Sequence, residues 1–173
     1  ARSSPSAPHL MPPPRSPLAP TRFPEIPAVP GVRMAACAAA LRYRDRPDLL
    51  LVELAEGTTV AGLLTRSSVP GHPVAWCRRI LPRGRARGLV VNAGNANVLV
   101  GEAGDAAVRA EVETAAALLG AELQDVFVAS TGVIGEPLPV AKITAALPGL
   151  HASLAATSWN EAAAAIGPLR GMV

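Results

Sequence analysis

Proline is distributed unevenly along this chain of 173 residues, and its distribution limits where a folded core can form. Ten of the eighteen prolines fall in residues 1–30. Because each proline fixes φ and removes a backbone N–H donor, this segment is a poor candidate for helices or central strands. We therefore expect residues 1–30 to be a largely disordered, extended segment and residues 31–173 to form the folded domain.

The first 24 residues contain arginine and serine but no acidic residue, a composition found in transit peptides. The prolines argue against the amphipathic helix that such peptides form, and no apolar run resembles the core of a secretory signal. A disordered or surface-bound extension is the favoured interpretation. Because the chain begins with Ala1, we also expect a processed or incomplete sequence.

Charge and cysteine content exclude several classes of protein. The formal net charge is +3, and residues 1–30 contribute most of it, so the folded part has no basic face for nucleic acid. No run approaches the ~20 apolar residues of a membrane-spanning helix.

Cys37, Cys77 and His72 lack the spacing of a metal site, and two cysteines cannot form a disulfide framework. We expect buried thiols, no metal and a cytoplasmic location.

Apolar patterning predicts an α+β fold in which strands come first and helices and strands then alternate. The clearest helix is Asp105–Leu119, whose apolar residues follow helical spacing and which is followed by Gly120 at a C-cap position. Pro148 is expected to end the helix that begins at Val140. The other predicted strands and helices are a first strand from Gly31, strands Leu49–Leu54, Thr58–Leu64, Leu89–Val91 and Val126–Ala129, and helices Val74–Leu81, Val140–Leu147 and one beginning at Ser158.

Five arginines lie within ten residues, from the predicted helix Val74–Leu81 to the strand that follows it: Arg78, Arg79, Arg83, Arg85 and Arg87. A site for phosphate or an acidic substrate is one interpretation. The better one is a solvated helix end and turn, with arginine stems lying over apolar surface. No aromatic residues are interleaved with them to stack on bases.

Two polar segments follow predicted strands. Asn92–Asn97 (NAGNAN) combines three amide side chains with a glycine, and a structural turn and a ligand-contact loop are both open for it. Ser130–Gly135 (STGVIG) contains the pair Thr131 and Gly132, which can direct one hydroxyl and one unobstructed N–H at the same point. Such a pair can stabilise the oxyanion of acyl transfer, although an ordinary tight turn is the alternative from these residues alone.

Taken together, Asn92–Asn97 and the later segment Ser130–Pro139 resemble the ornithine acetyltransferase family, the bifunctional glutamate N-acetyltransferases of the cyclic arginine pathway. The two segments occur in the family's order and at its distance. The resemblance covers about residues 16–166, and it includes the segments Gly31-Val32-Arg33, Asp48–Leu51, Thr58–Arg66 and Pro73-Val74.

The resemblance implies a fold and an activity. Family members have a layered sandwich of central β-sheets flanked by helices, and their precursor cuts itself before a threonine into an α and a β chain. That threonine takes acetyl from N-acetylornithine and passes it to glutamate, and bifunctional members also accept acetyl-CoA. Thr131 and Gly132 correspond to the pair that holds the oxyanion. No cofactor is implied, and the assembly is a cytoplasmic α₂β₂ heterotetramer.

The C-terminus departs from the family pattern. After Glu161–Ile166 the family continues with Met-Thr-Thr-Asp-Thr, whereas this chain has Gly167–Val173. The substrate-binding threonine and lysine and the nucleophile have no counterpart here, so substrate-binding residues stay unassigned. The resemblance therefore implies a truncated α chain that is incomplete without its β-chain partner and inactive alone, whether a fragment, a frameshifted product or a decayed gene. The alternatives are an inactive remnant acting as a binding surface and the α chain of a related self-cleaving aminopeptidase.

Overall fold

The computed structural model describes residues 25–42, 44, 46–156 and 159–167. Most of the proline-rich extension lies outside these residues, and its described end, residues 25–30, is exposed. The described elements are strands β1 (Val32–Cys37), β2 (Leu49–Leu54), β3 (Gly88–Asn95) and β4 (Val126–Val133), helices α1 (His72–Ile80), α2 (Glu102–Leu119), α3 (Val140–Ala152) and α4 (Trp159–Ile166), and the short 3₁₀ turns Leu81–Arg83 and Leu123–Asp125.

The four strands form one mixed sheet in the order β1-β2-β3-β4. β1 pairs antiparallel with β2, and β2 pairs antiparallel with β3. β3 and β4 are parallel, so the chain must cross over between them, and α2 makes that crossover. The parallel register aligns Gly88 with Val126 at the amino ends and Asn95 with Val133 at the carboxyl ends.

Helices cover both faces of the sheet. On one face, α1, α2 and α3 pack on the larger apolar cluster, which includes Leu49, Val90 and Val128. On the other face, α4 packs on a smaller cluster that includes Leu50 and Val91. The expected α+β fold with a sheet flanked by helices is therefore confirmed. None of the helices in the described ranges is long and apolar enough to cross a membrane.

The predicted helix Asp105–Leu119 is confirmed, although it begins earlier, at Glu102. Val108, Val112 and Leu119 are all buried against the sheet, as their spacing indicated. Gly120 ends α2 in the left-handed conformation with φ 59°, and its N–H donates to the Ala116 carbonyl.

Two predictions about element boundaries were wrong. Thr58–Leu64 is not a strand, because its only pairing is an isolated bridge between Thr59 and Arg85. Pro148 does not end α3, which continues to Ala152. One proline removes a single N–H donor, and the buried residues on either side of it, Leu147 and Leu150, keep the helix packed on the core.

Helix α1 covers part of the outer edge of β4. The Trp76 indole N–H donates to the Val126 carbonyl at 3.0 Å, and the Cys77 thiol donates to the Val128 carbonyl at 3.2 Å. These two side chains occupy the acceptors that an added strand would otherwise use. Helix α1 therefore blocks the outer edge of β4 along the first half of the strand.

The arginine cluster lies where α1 ends. Arg79 stacks over the Trp76 ring at 5.3 Å, and Arg83 pairs with Glu122 at 2.6 Å. These contacts match the interpretation of a solvated helix end and turn. A cleft of about 410 Å³ lies beside them at the amino ends of β3 and β4, lined by residues that include Arg85, Arg87, Glu122 and Asp125.

The buried carboxylate of Asp48 holds the connection between β1 and β2. It is fully buried and accepts the backbone N–H groups of Ala39 and Leu41, each at 2.7 Å. Its own carbonyl accepts the Ala93 N–H of β3 at 2.8 Å. One side chain therefore fixes the loop against the centre of the sheet.

Replacing Asp48 by alanine should lower the free energy of unfolding by about 3 kcal/mol, because two buried N–H groups lose a charged acceptor. The stability of Asp48→Asn should fall between those of the alanine variant and the unmodified chain, since the amide keeps one acceptor oxygen. Urea unfolding at pH 7 measures both. Glu56→Ala, which removes an exposed carboxylate, serves as the control and should change stability by less than about 0.5 kcal/mol.

Candidate active site

Thr131 and Gly132 lie within β4, near its carboxyl end. The sequence placed them in a turn after the strand, and the strand instead continues through them to Val133. Their neighbours on β3 are Ala93 and Gly94. The same correction applies to Asn92–Asn95, which belong to β3 rather than to a loop.

The β3 and β4 backbones approach each other unusually closely at Gly132. A Cβ atom added there would lie 2.2 Å from the Gly94 carbonyl carbon and 2.5 Å from the Asn95 nitrogen. Gly132 also has φ +134°, a conformation that other residues rarely adopt. Both features require glycine at this position.

The Gly132 N–H points away from β3. Peptide groups of a strand alternate in direction, and the Val133 carbonyl accepts the Ala96 N–H on the β3 side at 2.8 Å. The Val126 and Val128 carbonyls accept donors from α1 on the opposite edge. Gly132 is separated from these two valines by an even number of residues, so its backbone N–H also points away from β3. It faces the part of the β4 edge that α1 does not cover. Gly132 is exposed, and no described group accepts this N–H.

The Thr131 hydroxyl is the second donor at this place. Its side chain is half-buried, and within the described ranges it makes no hydrogen bond. An N–H and a hydroxyl from consecutive residues near the carboxyl end of β4 are thus both without a partner among the described residues. Such a pair can bind a developing oxyanion, because its donors are fixed before charge appears.

The three asparagines of Asn92–Asn97 are buried and bind backbone. Asn92 donates to the Asn95 carbonyl at 2.9 Å, and Asn95 donates to the Glu136 carbonyl at 2.9 Å. Asn97 donates to the Gly104 carbonyl at the start of α2 at 3.1 Å. The sequence left open whether this segment is structural or contacts a ligand. These hydrogen bonds favour a structural role, because they hold the loop after β4 and the start of α2 against this segment.

A buried carboxyl group, Glu111 of α2, was missed in the sequence. It is 1% exposed, and its Oε1 has no hydrogen-bond partner among the described residues. Burial raises the pKa of Glu111 from 4.5 to about 8, because desolvation disfavours the charged form. Its burial could have been predicted from the sequence, because position 111 falls within the apolar stripe of the helix between Val108 and Ala115.

Cys77 and His72, considered as metal ligands, have other contacts. Burial raises the pKa of the Cys77 thiol, which donates to β4, and the His72 ring lies 3.0 Å from the Asp105 carboxylate. Cys37 is half-buried, and burial together with the nearby Asp48 carboxylate raises its pKa as well. Both cysteines are therefore expected to remain protonated thiols near neutral pH.

Comparisons with known proteins agree on one family. The ArgJ family model matches residues 33–167. The arginine biosynthesis bifunctional protein ArgJ of Gluconobacter oxydans is 50% identical over 153 residues, which are 88% of this chain and 36% of that protein. The ArgJ protein of Rhizobium meliloti is 49% identical over 151 residues, 87% of this chain and 37% of that protein. This chain thus spans about a third of these curated relatives.

Solved structures lead to the same family. Ornithine acetyltransferase of Mycobacterium tuberculosis, in complex with ornithine, superimposes with a TM-score of 0.77 at 34% identity. The match covers 82% of this chain and 78% of the crystallised chain. The ArgJ protein of Bacillus halodurans gives a TM-score of 0.76 at 25% identity, covering 83% and 75% of the two chains.

Replacing Gly132 by alanine should destabilise the chain by about 3 kcal/mol or more, because the new methyl group overlaps the Gly94 backbone. Gly135→Ala is the matched control. Gly135 also has positive φ, +84°, but nothing lies within 4 Å of an added Cβ, so only the backbone cost of about 1 kcal/mol applies. Equal losses of stability in thermal unfolding of the two variants would contradict the close approach of β3 and β4.

The buried Glu111 predicts that stability falls as pH rises. Between its unfolded pKa of 4.5 and its folded pKa of about 8, the folded chain holds a proton that the unfolded chain has released. The free energy of unfolding should therefore decrease by up to about 1.4 kcal/mol per pH unit across that window and level off above it. Urea unfolding at several pH values measures this slope.

Glu111→Gln should remove this contribution to the slope, because the amide does not titrate. Glu113→Gln is the control on the same helix, since Glu113 is exposed and pairs with Arg109. The buried-carboxyl assignment fails if the two variants have the same pH dependence.

Proposed function

The chain belongs to the ArgJ family, and on that premise we propose that it is the N-terminal portion of an acetyltransferase of arginine biosynthesis. The enzyme moves an acetyl group from N-acetylornithine, or from acetyl-CoA, to glutamate. This chain contributes the oxyanion hole, with Thr131 and Gly132 as its two donors. It functions in the cytoplasm and needs no metal or cofactor.

The observation that carries this proposal is the pair of uncommitted donors at the open end of β4. The Gly132 N–H faces the free edge, and the adjacent Thr131 hydroxyl has no partner among the described residues. The crystallised relative of 34% identity binds ornithine, which is the product left when N-acetylornithine gives up its acetyl group. That ligand supports an acyl-transfer site in this fold.

In the proposed reaction, a nucleophilic threonine from the remaining portion of the enzyme attacks the acetyl carbonyl of N-acetylornithine. The carbonyl oxygen becomes an oxyanion held by Thr131 and Gly132. Collapse of this intermediate expels ornithine, which takes a proton, and leaves acetyl on the threonine. The amine of glutamate then attacks the acyl-enzyme through a second oxyanion in the same site, and its lost proton returns to the threonine oxygen.

The nucleophile belongs to a second chain in this proposal. The chain matches only about a third of the curated relatives but 78% of the crystallised Mycobacterium tuberculosis chain, so that crystallised chain is itself much shorter than the curated proteins. This difference supports a precursor that cleaves itself into an α and a β chain. The two chains then assemble as an α₂β₂ heterotetramer.

Thr131→Ala should lower kcat by about 10² to 10³ in a complex of this chain with a family β chain, the scale of one lost oxyanion donor. KM should change much less, because the contact strengthens mainly in the transition state. Thr131→Ser keeps a hydroxyl and should retain substantial activity. Acetyl transfer from N-acetylornithine to glutamate, followed as released ornithine, is the measurement.

Thr114→Ala provides the matched control, because the Thr114 hydroxyl donates to the Ala110 carbonyl within α2. Near-normal turnover of Thr131→Ala would remove the oxyanion assignment. Hydrolysis of peptides without acetyl transfer would favour the self-cleaving aminopeptidases instead. Robust transfer by the 173-residue chain alone would contradict the two-chain proposal.

A further inference from the structure

The chain leaves β4 through residues 133–137, a segment with little conformational preference of its own. It follows Gly132 directly and contains Gly135, and both glycines have positive φ, +134° and +84°. Glycine adopts such angles more readily than other residues, but it also adopts many others. The backbone at the end of β4 must therefore be held by contacts from elsewhere in the chain.

The segment that follows β3 supplies these contacts. The Ala96 N–H donates to the Val133 carbonyl at 2.8 Å, and the Gly135 N–H donates to the Val98 carbonyl at 2.9 Å. The two segments therefore stay bonded to each other past the ends of β3 and β4.

The Asn95 side chain reinforces this connection. Its Nδ2 donates to the Glu136 carbonyl at 2.9 Å and to the Pro137 carbonyl at 3.3 Å. Its Oδ1 accepts the Asn97 N–H at 2.8 Å. Asn95 is only 5% exposed, so water competes little for these bonds. One buried amide thus bonds to both segments.

The contacts of Asn95 require an amide. Its oxygen faces an N–H group and its nitrogen faces two carbonyl oxygens, so the orientation of the amide group is fixed. An aspartate would keep the acceptor but would place its second carboxylate oxygen against the carbonyls of Glu136 and Pro137. That substitution therefore replaces two attractive contacts by repulsion.

The backbone that carries Asn95 is itself anchored. The Asn95 carbonyl accepts the amide of the buried Asn92 at 2.9 Å, and Asn97 donates to the Gly104 carbonyl at the start of α2. Among the described residues, the other side chain that bonds to residues 133–137 is Arg42, through an ion pair with Glu136 whose two side chains are 41% and 56% exposed. Exposed ion pairs contribute little to stability, so Asn95 is the main side-chain constraint on residues 133–137.

We propose that Asn95 is a positioning residue for acyl transfer, whose amide holds residues 133–137 against the end of β3 and thereby keeps Thr131 and Gly132 in place. The pairing with β3 holds β4 on the amino side of these two donors, and the Asn95 bonds hold the chain on their carboxyl side. An oxyanion hole needs its donors fixed before charge appears. A loose strand end would therefore weaken binding of the transition state more than binding of the substrate.

The inference rests on the proposed function for its catalytic consequence, and hydrogen exchange tests its structural part separately in the complex of this chain with a family β chain. Gly135 is exposed, yet its amide bond to Val98 should protect it at least about 10²-fold relative to a free peptide. Asn95→Asp should raise the exchange of the Gly135 amide about tenfold. Asn95→Ala loses the same bonds without adding a charge and should give the same result.

Asn97→Asp is the matched control. Asn97 is also buried, and its amide also donates to a backbone carbonyl, but that carbonyl belongs to Gly104 at the start of α2. This variant should lower the free energy of unfolding without changing kcat or the exchange of the Gly135 amide.

Kinetics of acetyl transfer test the catalytic part. Asn95→Asp should lower kcat about tenfold with little change in KM. In a complex that already carries Thr131→Ala, the same substitution should lower kcat by less than about threefold, because one of the two donors that Asn95 positions is already absent. A residue that acts only on stability would lower kcat by the same factor in both backgrounds.

Free exchange of the Gly135 amide in the unmodified complex would overturn the proposal, even if the Asn95 variants fail to assemble. Equal losses of kcat in Asn95→Asp and Asn97→Asp, or the same loss in both Thr131 backgrounds, would overturn the positioning role. If the Gly135 amide responds as expected but no acetyl transfer occurs, the proposed function fails and only the structural part stands. If acetyl transfer occurs and Asn95→Asp leaves kcat unchanged, the proposed function stands and the positioning role of Asn95 fails.

Discussion

The parallel pairing of β3 with β4 is the constraint on which the candidate site depends. A parallel pair brings the carboxyl ends of both strands to one edge, so Asn95 and Val133 become neighbours although α2 separates their strands in sequence. The close approach of Gly132 to Gly94 leaves no room for a side chain there. The same parallel pairing sets the direction of the Gly132 N–H, because peptide groups alternate along β4.

Local patterns predicted the elements that depend on local physics. The short apolar run Leu49–Leu54 has the length of a buried strand, and the apolar residues before Gly120 have helical spacing, and both elements are present. The oxyanion role of Thr131 and Gly132 came from the family resemblance, because these two residues alone also fit an ordinary tight turn, and it stays a prediction. The end of β3 was missed because asparagine is rare in strands, and the Glu136 carbonyl that accepts from the buried Asn95 amide lies elsewhere in the chain. No local pattern contains that information.

Glu111 was missed for a related reason. A glutamate in a helix is ordinarily solvated, and here the apolar stripe through Val108, Val112 and Ala115 continues around it. The signal was present, since position 111 lies inside that stripe, but burial of a carboxyl is unfavourable unless a proton or a partner compensates.

The edge of β4 connects the fold with the proposed chemistry. α1 occupies the outward carbonyls of Val126 and Val128, which blocks strand addition along the first half of the edge. Beyond that cover, the outward N–H of Gly132 stays open. A substrate carbonyl can reach this donor only from outside the sheet, so the proposed nucleophile must approach from the same side.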